Sequence, residues 1–139
     1  MYNKDGDDME KRELKKMCYI EALEDSLISV EMVLNHLKRI EEKKGIFEEA
    51  ILYKDYTKSV LDLELALVSV CILLRKMSEN LFITIDNELR RDMNSIIHSN
   101  RFDYQDQLIV YSQKGREDVD LNSLMRFCKE VISFDKVHL

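Results

Sequence analysis

An arginine and a histidine two helical turns apart are the side chains of this sequence best suited to reaction chemistry. They are Arg91 and His98, in the run Arg90-Arg91-Asp92-Met93-Asn94-Ser95-Ile96-Ile97-His98. A seven-residue offset on a helix brings both side chains out on the same face. Histidine titrates near neutrality and can move a proton, and a guanidinium can hold a phosphate, so the pair suits cleavage of a phosphodiester. A plainer reading stands beside it: Arg90, Arg91 and Arg101 solubilise a helix, and His98 favours its negative C-terminal end.

Other chemistries find little footing. His36 and His138 lie on other segments, and His98 has no histidine, cysteine or carboxylate at ligand spacing, so neither a metal nor a cofactor is expected. With only Gly6, Gly45 and Gly115, the chain has no dinucleotide or phosphate loop of the glycine-rich types. No serine sits in a nucleophile elbow. The pairs Glu41-Glu42 and Glu48-Glu49 read as solvated helix faces.

The elements that must carry the pair follow from composition and periodicity. A chain of 139 residues, 45% hydrophobic and 35% charged, with no proline, reads as one domain built from long helices. The net charge of −6 argues against a broad nucleic-acid surface, so any such site must be local. Cys18, Cys71 and Cys128 are far apart among apolar neighbours and read as core residues of a reducing compartment. The acidic N-terminus lacks the apolar stretch of a secretory signal, so the expected location is cytoplasmic. The apolar run 61–74 is broken by Asp62, Glu64 and Ser69 and ends at Arg75-Lys76, which predicts a buried helix and no membrane span.

Along the chain, residues 1–8 are expected to be disordered and residues 9–135 to form a single domain. Apolar residues at three- and four-residue spacing predict a helix from Met9 to about Lys44, ended by Gly45. A second helix is expected from Ile46 to about Asn80, with an irregularity near Tyr53 to Tyr56, and part of its apolar surface is expected to meet a second subunit. Asp86 can cap a third helix ending at His98 or Ser99. Leu108 to Tyr111, the Lys114-Gly115 turn and Glu117 to Val119 predict a hairpin. Asp120 then caps a last helix carrying Leu121, Leu124, Met125, Cys128 and Ile132. The fold class is thus mainly α, an up-and-down bundle of four to five helices with a small β-hairpin before the last helix.

This order of elements, together with Arg91, Asp92 and His98, resembles the HEPN (higher eukaryotes and prokaryotes nucleotide-binding) domain family over most of the chain. The family's pattern is an arginine followed after four to six residues by a histidine, often with a polar residue directly after the arginine. Here six residues intervene and Asp92 is the polar one. Many members carry the tighter form Arg-Asn-x-x-x-His, and in that alignment Met93 holds the arginine's place. The resemblance implies a metal-independent RNA endonuclease of a toxin-antitoxin, abortive-infection or other defence system, acting as a homodimer whose arginines and histidines meet in a cleft. It implies that Arg91 and His98 are catalytic, that Asn94 supplies a hydrogen bond, that Asp92 orients Arg91, and that Arg90 and Arg101 support the site. The partners so implied are RNA and an antitoxin or other protein. Inactive members imply the alternative, a HEPN-like dimerisation or partner- or nucleotide-binding module.

Overall fold

The computed structural model describes the backbone of residues 4–45, 49–104 and 107–138 and the side chains of 9–45, 50–104 and 107–134. Within these, four helices and three strands follow in the order α1 (Lys4–Glu42), α2 (Glu49–Glu79), α3 (Asn87–Ile97), β1 (Arg101–Tyr104), β2 (Leu108–Ser112), β3 (Gly115–Val119) and α4 (Leu121–His138). The fold is mainly helical with a small antiparallel sheet before the last helix, as the patterning predicts. No described helix is long and apolar enough to cross a membrane.

α1 and α2 form an antiparallel pair. Lys15 donates to Asn80 at 3.1 Å, the Ser26 and Ser69 hydroxyls meet at 3.2 Å, and His36 reaches Asp55 at 3.1 Å, so rising numbers on one helix meet falling numbers on the other. Leu23, Val30, Leu63, Leu67 and Leu74 lie at 0–1% exposure between the helices and α4. This burial of aliphatic area is the main source of stability. α4 is also joined to α1 by Lys129 and Glu31 at 3.1 Å.

Local chemistry sets the element ends. Asp86 accepts the Leu89 N–H at 2.8 Å and caps α3, and Asp120 accepts the Ser123 N–H at 3.1 Å and its hydroxyl at 2.7 Å at the start of α4. Gly45 (φ 86) follows α1, and Gly115 (φ 108) closes the β2–β3 turn. α2 instead ends on Leu81 at φ 62, with the Leu81 N–H on Ser78 and the Phe82 N–H on Met77, the bonding of a left-handed helix cap usually given to glycine.

Several expectations are corrected. α1 starts at Lys4, not near Met9, so residues 4–8 of the stretch read as disordered are helical; residues 1–3 and 46–48 lie outside the described ones. α2 runs through Tyr53 to Tyr56 without a break. Cys71 and Cys128 are buried but Cys18 is exposed, because it lies on the face of α1 turned away from α2 and α4. Leu61, Leu65 and Ile72 are exposed on the outer face of α2, although the run 61–74 predicts a buried helix. The hairpin gains a third strand, β1, pinned to α2 by the Tyr56 hydroxyl, which donates to the Tyr104 carbonyl and accepts its N–H at 3.3 Å each.

Candidate functional site

α3 is short and sharply two-sided. Leu89, Met93 and Ile96 are buried and anchor it, while Arg91, Asn94 and His98 come out on the opposite side at spacings of three and four. His98 is the C-terminal cap residue: its N–H bonds to the Asn94 carbonyl at 3.0 Å, and its exposed ring sits where the helix dipole is negative.

That outer side of α3 faces the end of the β2–β3 hairpin across a cleft of about 640 Å³. Its basic groups are Arg90, Arg91, His98 and Lys114. Amide side chains surround them: Asn87 and Asn94 from α3, Asn100 just before β1, and Gln113 from the turn. Glu117 is the carboxylate of the lining, and the Ser95 hydroxyl donates to it, tying α3 to β3. Among the described residues neither Arg90 nor Arg91 is paired with a carboxylate; Arg90 is within 3.5 Å of the Ser78 hydroxyl. The cleft therefore offers cations and amides to an anion, in a chain whose net charge is −6.

The predicted site residues divide. Arg90, Arg91, Asn94 and His98 line the cleft together. Arg91 and His98 share a face but stand about 10.5 Å apart along the axis at 1.5 Å per residue. That interval separates their backbone positions, so a single phosphate meets both only where the long Arg91 side chain reaches past Asn94 toward His98. The Asn94 side-chain oxygen is already engaged by a guanidinium N–H of Arg75, which leaves its NH₂ to face a ligand.

Asp92 and Arg101 go elsewhere. Asp92 is half-buried beside the start of α4, where the Asp120 N–H bonds to it; burial, with Glu88 and Asp120 close by, raises its carboxyl above the usual range. No ion pair joins it to Arg91 among the described residues. Arg101 leaves the cleft for the outer face of the sheet, its guanidinium stacked 4.2 Å from the centre of the Tyr111 ring.

Met93 is 2% exposed on the core side of α3. The place an arginine takes in the tighter Arg-Asn-x-x-x-His spacing thus points away from the cleft here. Sequence reasoning missed Arg75, Asn100, Gln113, Lys114 and Glu117. Lys114 was visible only as part of a turn, and nothing local to it marks that the hairpin folds back onto α3. Among the described residues no cluster of histidine, cysteine and carboxylates is arranged to hold a metal.

Compared with known proteins, the chain matches no family model, no curated protein and no solved structure.

Proposed function

We propose that this chain is a HEPN-like domain acting as a metal-independent RNA endonuclease in the cytoplasm of a defence or toxin-antitoxin system. The observation that carries this is the cleft, in which Arg90, Arg91, His98 and Lys114 converge from α3 and the hairpin. RNA brings its own nucleophile. The 2′-oxygen attacks phosphorus, the bond from phosphorus to the 5′-oxygen breaks, and a cyclic 2′,3′-phosphate and a 5′-hydroxyl result. One proton must leave the 2′-hydroxyl and one must reach the 5′-oxygen, and His98 serves one of these transfers. Arg91 and Lys114 hold the non-bridging oxygens as their charge grows. The second transfer falls to His98 of a second copy, so the working unit is a homodimer whose clefts meet, with the exposed Leu61, Leu65 and Ile72 of α2 as apolar surface for association. An antitoxin or other partner protein would restrain it.

A second reading draws on the buried Met93 and the long interval between Arg91 and His98: a HEPN-like module that dimerises and binds a partner or nucleotide without cleaving. One experiment separates the two. Mixed-sequence RNA is incubated in EDTA with the wild-type chain and with His98→Ala. The enzyme reading expects cyclic-phosphate ends from the wild type and a loss of roughly 100-fold or more in the variant, the usual share of proton transfer. Cleavage by neither protein, or equally by both, removes it; RNA retained but uncut supports the second reading. Sedimentation at micromolar concentration tests the shared site, which a clean monomer would refute.

A further inference from the structure

The sheet has two faces of different chemistry. Phe102, Leu108, Val110 and Val119 are buried against the helices, and Glu117, opposite Val110, reaches α3 through Ser95. Alternation then turns Arg101, Tyr111 and Arg116 outward. The register sets them in one row across three strands: Arg101 pairs with Tyr111, and Tyr111 pairs with Arg116. The central carbon of the Arg101 guanidinium lies over the Tyr111 ring, 4.2 Å from its centre. Arg116 touches Asp118 at 3.5 Å, an exposed pair of the weak kind that a phosphate can displace.

We infer that this row is a second contact for single-stranded RNA, a platform on which an unpaired base stacks while Arg116 holds a neighbouring phosphate. The inference rests on the RNA reading of the cleft and extends it. Three observations favour this occupant. An aromatic ring bearing a stacked guanidinium is a surface that any base can cover, and cations on both sides suit the backbone between bases. The next row across the sheet, Asp103, Ile109 and Asp118, is acidic and confines an anionic strand to the arginine row. The platform is also continuous with the cleft: Asn100, Ser112 and Lys114 line the cleft, and each lies within two residues of a platform residue along its strand or turn. A strand leaving the cleft passes the hairpin tip at Lys114 and comes onto Tyr111. A duplex offers no free base to stack there.

The test uses fluorescein-labelled oligouridylates, a decamer and a dinucleotide, read by anisotropy with the full chain. Tyr111→Ala should weaken the decamer roughly 5- to 150-fold, the range covered by stacking of one base. The loss should shrink with the dinucleotide, which is too short to reach both faces. Tyr111→Phe, which keeps the ring, should restore decamer binding to within about twofold, because stacking needs no hydroxyl. Arg101→Ala and Arg116→Ala, at exposed positions, give the same answer should Tyr111→Ala not fold. Decamer binding that falls in Arg91→Ala but is unchanged in Tyr111→Ala, Arg101→Ala and Arg116→Ala overturns the platform and leaves the cleft reading intact. Absence of RNA binding by the wild type overturns both. Polyglutamate binding as tightly as the decamer, with the same dependence on Tyr111, would mark the row as a site for acidic peptide and overturn the inference.

Discussion

Replacing Met93 by arginine separates a residue of the core from a residue of the site. On an α-helix, position 93 points about 160° from Arg91 and about 140° from His98, at 100° per residue. Met93 is 2% exposed and is the middle anchor, between Leu89 and Ile96, of a helix of 11 residues. Removing a fully buried methionine from its contacts costs about 2 kcal/mol. Placing an unpaired guanidinium there adds at least as much again, reduced by whatever part of the side chain can reach water. The expected loss is about 4 kcal/mol, a large share of the 5–15 kcal/mol that holds an ordinary domain together. At a urea slope of roughly 2 kcal/mol per molar, the unfolding midpoint followed by far-UV circular dichroism should fall by about 2 M. Met93→Leu, which keeps the volume, should cost less than about 1.5 kcal/mol. The arginine variant should not gain RNA cleavage. A midpoint within about 0.3 M of wild type, on the same slope, would show that residue 93 is not an anchor. New cleavage by a folded variant would show that it faces the cleft, and either result refutes the assignment.

Other perturbations test the remaining parts of the frame. Leu81 holds a left-handed conformation at φ 62 and is 83% exposed, so Leu81→Gly removes strain of about 1 kcal/mol while losing little burial; a rise of about 0.5 kcal/mol in stability, net of glycine's freer unfolded chain, is expected in urea titration. Asp120→Ala should cost about 1 kcal/mol at pH 7 through loss of the α4 cap. Hydrogen bonds from Ser123 hold the Asp120 carboxyl below its ordinary 3.8, so its contribution is fully present above that value and is lost as pH falls through the lower folded value. The difference between variant and wild type should therefore close only well into the acid range. Cys71 and Cys128 have thiols pushed up to about 12 by burial, whereas Cys18 is exposed, so a thiol reagent at pH 8 should label one cysteine in the native chain and all three in urea. Labelling of two or more without denaturant would contradict the burial of Cys71 and Cys128 in the core.

The parts of the fold that were legible are those held by near neighbours in the chain. The Asp86 and Asp120 caps, the Gly45 and Gly115 turns and the apolar spacing of α1 and α4 each act within about four residues, so their signals survive in the linear order. β1 was harder to see: Arg101-Phe102-Asp103-Tyr104 alternates correctly, but four residues make a weak signal, and the strand depends on β2 and on Tyr56 of α2. The fates of Cys18 and Cys71 were not separable either, since each sits on an amphipathic helix and exposure depends on which neighbour covers that face.

Arg91 and His98 share a helix face because seven residues make two turns, a relation contained in the order of residues alone. The surroundings of that face are another matter. Lys114 and Asn100 meet it, Asp92 turns to α4, Arg101 crosses to Tyr111, and Met93 goes into the core, because packing α3 against α2 and the sheet fixes the rotation of the helix. Periodicity states which residues are on the same side of an element. Only the burial of Leu89, Met93 and Ile96 against distant segments settles which side is inside, and with it which cations face a common ligand.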